Sequence, residues 1–200
     1  MDCAVKIAKI ELMHVLPRWT FVKITTDDGY FGYGEAIVEG RSRTVEMAVK
    51  ELEPHLLGQD PRRIEHLWQM MYRGTFYRGG PVLTSAISGI EQALWDILGK
   101  SLNVPVHQLL GGAVRDRIRM YKGIGGATPE AAHENARKAV EAGFTMVKTG
   151  VELKAHVMET PAALHREIER IEAIRSAIGY GVDLGIDFHG RLGPALAIRL

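Results

Sequence analysis

The 200-residue chain has one cysteine, Cys3, so no intrachain disulfide can form and stability must come from a packed core. Close to the start and ahead of a strand pattern, Cys3 reads as a small apolar filler and not as a nucleophile. An excess of either charge is also missing. Lys+Arg 25 against Asp+Glu 24 leave a net +1, the basic residues are spread along the chain, and nucleic acid is not an expected partner. No stretch reaches the roughly 18 uninterrupted apolar residues of a membrane span. Met1-Asp2-Cys3-Ala4-Val5-Lys6 lacks the basic-then-apolar run of a secretory signal, and the expected compartment is the cytoplasm. Solenoid repeats and low-complexity segments are absent as well. What remains, 46% hydrophobic and 24% charged residues, has the balance of a globular protein with a sizeable core.

Several catalytic patterns are missing too. Ser85-Ala86-Ile87-Ser88-Gly89 lies inside a helical stripe and is no nucleophile elbow. Gly123-Ile124-Gly125-Gly126 lacks both the Gly-x-Gly-x-x-Gly spacing and a P-loop lysine, so no nucleotide site is assigned. No two histidines stand at His-x-x-x-His spacing, and zinc is not indicated.

Period-two alternation over Val5–Leu12, Phe21–Thr26 and Tyr30–Glu35, punctuated by Pro17-Arg18-Trp19 and Asp27-Asp28-Gly29, predicts a three-stranded antiparallel meander. Helical spacing follows. A first helix from Ser42 buries Val45, Ala48, Val49, Leu52 and Leu56, with Gly58 as its stop. A second starts at Asp60-Pro61, a third spans Val82 to Lys100, and a short piece runs from Pro105 to Leu110. From about Arg117 the order is βαβαβ: strands at Ile118–Tyr121, Phe144–Lys148 and Val182–Asp187, and helices from Thr128-Pro129 and over Pro161–Ile178, with a last helix from Pro194. Such alternation requires parallel strands with helical crossovers, in a sheet either open or closed. The expected domains are an α+β unit, 1–116, and a (β/α) unit, 117–200.

Asp187-Phe188-His189-Gly190 stands where a parallel strand runs out, the place where reactive groups gather in α/β sheets and barrels. In extended geometry Asp187 and His189 face one side about 7 Å apart. Two readings stay open: a carboxylate for a hard cation beside a proton-carrying imidazole, or an aspartate capping a turn beside a surface histidine. Lys148, at the end of the preceding strand, either faces the same mouth or is solvated. Arg18 and Glu39 sit in loops of the first unit, either as ligand contacts or as exposed charges.

Segments in order along nearly the whole chain carry a family resemblance: Pro17-Arg18-Trp19, Gly34-Glu35 with Glu39-Gly40-Arg41, Gly58-Gln59-Asp60-Pro61, Phe76 to Pro81, Ala93-Leu94-Trp95-Asp96, and Asp187 to Arg191. The chain resembles the N-terminal half of enolase-superfamily proteins of the mandelate racemase/muconate lactonizing group, and within it the D-galactonate dehydratases. The resemblance implies an α+β capping domain, meander plus helical bundle, followed by the first three β/α units of a TIM-type barrel. It implies α-proton abstraction from a carboxylate substrate, with Mg²⁺ opposing the charge of the enediolate. Three acidic ligands at successive strand ends hold that ion; Asp187 matches the first and His189 the general acid that protonates the departing 3-hydroxyl. Arg18, Glu39 and Lys148 become substrate contacts. Where racemases of the group carry Lys-x-Lys, this chain has Lys148-Thr149-Gly150, so a racemase base is missing at Gly150, and galactonate dehydratases more often have asparagine there. A closed barrel takes about 250 residues, so the chain is expected to be inactive alone. It would then serve an acid-sugar dehydratase beside a complementary C-terminal half, in a family of homo-oligomers, or act as a non-catalytic interaction module.

Overall fold

The alternating first segment forms β1 (Ile7–Val15), β2 (Trp19–Thr26) and β3 (Phe31–Glu35), antiparallel and in the order β1-β2-β3. The computed structural model describes residues 5–153 and 160–200, so Cys3 lies outside the described residues. The chain divides into two units, Met1–Val114 and Arg115–Leu200.

In the first unit the register sets Ile10 opposite Ile24, Leu12 opposite Val22, Val22 opposite Gly34 and Ile24 opposite Gly32. One face therefore carries apolar side chains beside two glycines, and α3 (Pro81–Leu102) packs on it. The glycines let the backbones touch: a Cβ at Gly34 would stand 1.8 Å from the Gly89 carbonyl oxygen, and one at Gly32 2.1 Å from that of Ala93. β3 is one edge of the sheet, and α3 satisfies three of its free backbone groups. Asp96 Oδ2 accepts from Tyr33 N and Gln92 Oε1 from Glu35 N, both at 2.9 Å, while Lys100 Nζ donates to the Phe31 carbonyl at 2.9 Å. An edge covered in this way offers little to a stray strand.

Helices α1 (Ser42–Leu56) and α2 (Ile64–Arg73) close the core through Val45, Val49, Leu56, Leu67 and Met71, and α4 (Val106–Leu109) follows α3. α2 starts later than the Asp60-Pro61 signal predicts. The Asp60 carboxylate accepts from Arg62 N at 2.9 Å and pairs with its guanidinium at 2.8 Å, which closes a separate turn ahead of the helix.

Glu46 of α1 accepts from His14 of β1 at 2.8 Å, from Lys50 at 2.7 Å and from Arg43 at 3.0 Å. These contacts, the Lys50 hydrogen bond foremost, bring its pKa from 4.5 down to about 2. A carboxylate with a lowered folded pKa adds stability above its unfolded value and loses it as the pH falls through the folded one. Glu46→Gln is therefore expected to lower the melting temperature near neutral pH, with the gap to the parent closing between about pH 4.5 and about pH 2. Thermal melts across that range check it.

The second unit holds β4 (Lys122–Gly123), α5 (Pro129–Glu141), β5 (Met146–Gly150), α6 (Pro161–Ile178), β6 (Asp183–Asp187) and α7 (Pro194–Arg199). Its strands are parallel, in the order β4-β5-β6. Both long helices start alike: Thr128 Oγ1 accepts from Ala131 N, Thr160 Oγ1 accepts from Ala163 N, and each cap is followed by proline. The alanine stripe Ala132, Ala136 and Ala139 lets α5 pack closely with α6, around Val147, Ile174 and Ile178.

The strand expected at Ile118–Tyr121 does not form; the first strand of the unit is the two-residue β4, and Ile118 and Met120 are exposed. The segment is tied to the neighbouring strands by the Arg119 side chain instead of by a backbone ladder. Its guanidinium donates to the Thr145 hydroxyl at 2.8 Å and carbonyl at 2.7 Å and pairs with Asp183 at 2.7 Å. The chain is thus a three-stranded antiparallel sheet with helices followed by a parallel β/α region. Among the described residues no helix is long and apolar enough to cross a membrane.

Candidate active site

Parallel pairing of β5 with β6 sets Lys148 opposite Gly185 and Gly150 opposite Asp187, so these four residues share one face of the sheet. Gly185 leaves space for the lysine stem, whose Cγ lies 3.9 Å from where a Cβ would be. The ammonium then reaches Asp187 Oδ2 at 2.6 Å and lies 5.6 Å from the centre of the Tyr121 ring. Each charge holds the other. The hydrogen bond to Asp187 raises the Lys148 pKa, and the one from Lys148 is the main cause of the lowered Asp187 pKa. Lys148 is therefore a fixed cation, unsuited to accepting a proton.

Past Asp187 the chain reverses at once. Arg191 N donates to the Phe188 carbonyl at 2.8 Å, and the two residues between, His189 and Gly190, have φ of 47° and 66°. Two central residues at positive φ mark a tight turn of the primed type, and histidine tolerates that backbone better than most side chains. Asp187 Oδ1 accepts from His189 N at 2.9 Å, while its Oδ2 lies 3.3 Å from His189 Nε2. The imidazole side chain is 59% exposed. The aspartate thus caps the turn and gathers a lysine and a histidine at the end of a parallel strand, while the positive φ of His189 departs from the extended geometry expected there.

A magnesium ion demands near-octahedral oxygen coordination, usually from one or two carboxylates plus substrate and water. Asp187 offers one such donor, already carrying the Lys148 ammonium. Among the described residues no three His, Cys, Asp or Glu side chains converge. The described residues alone therefore do not build a magnesium site.

In the first unit Arg18 and Glu39 pair with each other, both well exposed, with the guanidinium 5.9 Å from the centre of the Trp19 ring. The sequence pattern pointed to both loops and missed their mutual contact. It also missed Tyr121, whose place beside Lys148 follows only once Gly123 is known to stand opposite Lys148.

Residues 13–111 match the family described as mandelate racemase/muconate lactonizing enzyme, N-terminal domain, and residues 131–200 match an enolase C-terminal domain-like family. A D-galactonate dehydratase of Verminephrobacter eiseniae is 50% identical over 195 residues, covering 98% of this chain and 51% of that protein. One from Pectobacterium atrosepticum is 47% identical over 192 residues, covering 96% and 50%. Among solved structures, a member of the enolase superfamily from Salmonella Typhimurium superposes with a TM-score of 0.91 at 29% identity, covering 98% of this chain and 57% of that one. An enolase from Pantoea ananatis with bound D-gluconate and Mg superposes with a TM-score of 0.85 at 30% identity, covering 98% and 56%. The chain spans about half the length of the curated relatives it matches.

Proposed function

The chain belongs to the mandelate racemase/muconate lactonizing group of the enolase superfamily, and from that premise we propose that it contributes half of the active site of an acid-sugar dehydratase acting on an aldonate such as D-galactonate. The observation that carries the reading is the convergence of Lys148, Asp187 and His189 at the ends of two parallel strands. A bound Mg²⁺ would supply the positive charge that makes an enediolate accessible. Asp187 is the donor this chain offers toward it, and the other acidic donors and the base come from outside the 200 residues. His189, exposed on a fixed turn, protonates the 3-hydroxyl as it leaves, giving a 2-keto-3-deoxy acid. Lys148, held as a cation by Asp187, opposes the charge of the substrate carboxylate and of the anion it becomes. Arg18, exposed on its loop, is a further candidate contact for a substrate oxygen. Its exposed pair with Glu39 is worth at most about 1 kcal/mol, so exchanging that partner for a substrate oxygen costs little.

A fusion of residues 1–200 to the remaining part of the Verminephrobacter eiseniae relative, assayed on a panel of aldonates with Mg²⁺, tests the reading. The fusion is expected to form a 2-keto-3-deoxy acid, and Lys148→Met to lose at least ~100-fold in kcat/KM. The 200-residue chain by itself is expected to form none. Turnover by the chain alone would remove the need for outside donors, and an inert but folded fusion would remove the dehydratase assignment.

A further inference from the structure

A charged pair lies buried behind the site. Arg170 and Glu167, one turn apart on α6, are 2% and 3% exposed. Their mutual attraction alone is a poor reason to bury them, because a well-packed apolar pair of similar volume is commonly as stable. Their hydrogen bonds supply a better one. Arg170 donates to the Gly126 carbonyl beyond β4 at 3.4 Å, to Thr149 Oγ1 at 3.0 Å and to the Gly150 carbonyl at 2.5 Å, while also holding Glu167 Oε1. The other oxygen of Glu167 accepts from Glu152 N at 3.2 Å. Residues 150 and 152 are thus fixed from one side by one ion pair. Val151, between them, accepts at its carbonyl from Arg191 Nη1 at 3.3 Å, and Arg191 closes the turn that carries His189.

We infer that Arg170, oriented by Glu167, is a positioning residue: it clamps residues 150–152, and through Val151 and Arg191 it holds the turn that presents His189. A guanidinium suits this task because its rigid fork reaches several acceptors at once, which an ammonium on a flexible stem does not. The catalytic meaning of the clamp rests on the reading of His189 proposed above, but its test needs no turnover, so the two fail separately.

The test is residue-resolved ¹⁵N relaxation on the 200-residue chain, with Arg170→Lys and the double variant Glu167→Leu/Arg170→Met compared with the parent. The double variant is expected to melt within a few degrees of the parent. Its order parameters at Glu152 and at His189 to Arg191 should fall from about 0.85 to below about 0.6, with Val147 in mid-strand unchanged. Arg170→Lys keeps the charge beside Glu167, so His189 should loosen while Glu152 stays rigid. A folded double variant in which His189 is as rigid as in the parent would overturn the inference. Loss of the fold in both variants would overturn it equally, since the pair would then serve folding and not the turn.

Discussion

In the fusion described above, His189→Asn is expected to lower aldonate dehydration by between about 10² and 10⁴, the usual contribution of a positioned general acid, with the melting temperature nearly unchanged. The side chain is 59% exposed and, among the described residues, its polar partner is the Asp187 carboxylate, so little packing is lost. Asparagine suits the position because residue 189 has φ of 47°, a backbone that asparagine also adopts readily. The backbone bond from residue 189 N to Asp187 Oδ1 does not depend on the side chain. A fall in rate without a fall in stability therefore isolates the proton donor. Steady-state kinetics with a thermal melt on the same sample give both numbers.

Gly34→Ala is expected to cost about 3 kcal/mol or more and to lower the melting temperature by roughly 10 °C or more. A methyl at Gly34 would lie 1.8 Å from the Gly89 oxygen and 2.8 Å from the Gly89 carbonyl carbon. Neither atom belongs to a side chain able to rotate away; both are backbone of α3, itself bonded to β3 through Asp96, Gln92 and Lys100. Relief requires moving helix and sheet apart and breaking those bonds. Gly29 is the control. Its φ of 92° strains any other residue, yet no atom lies within 4 Å of a Cβ there, so Gly29→Ala should cost only about 1 to 2 kcal/mol. Denaturant unfolding of the two variants separates collision from backbone strain.

Features governed by neighbours in sequence were legible. Alternation marked the meander, and the Thr128-Pro129 and Pro161 signals marked helix starts, because a threonine cap and a proline at the first turn act within four residues. The strand end at Asp187 was legible for the same reason. Features governed by register were not. The Lys148–Asp187 contact depends on parallel pairing of segments far apart in the chain, and Arg170 serves acceptors 20 and 44 residues away. Ile118–Tyr121 alternated like a strand, yet the segment is held through the Arg119 side chain on Thr145 and Asp183, contacts that no local pattern reveals. Asp96 was recognised within a family segment, and its physical role, capping the exposed edge of β3, emerged only from the fold.

The most direct measurement of the central claim, that His189 is the acid for the departing hydroxyl, is made in D₂O on the fusion with D-galactonate and Mg²⁺. Both deuterium entry at the substrate α-carbon and formation of the 2-keto-3-deoxy acid are followed. The account predicts that His189→Asn continues to exchange the α-proton at close to the parental rate while product formation falls at least ~100-fold. Product formed by the variant at the parental rate would contradict it.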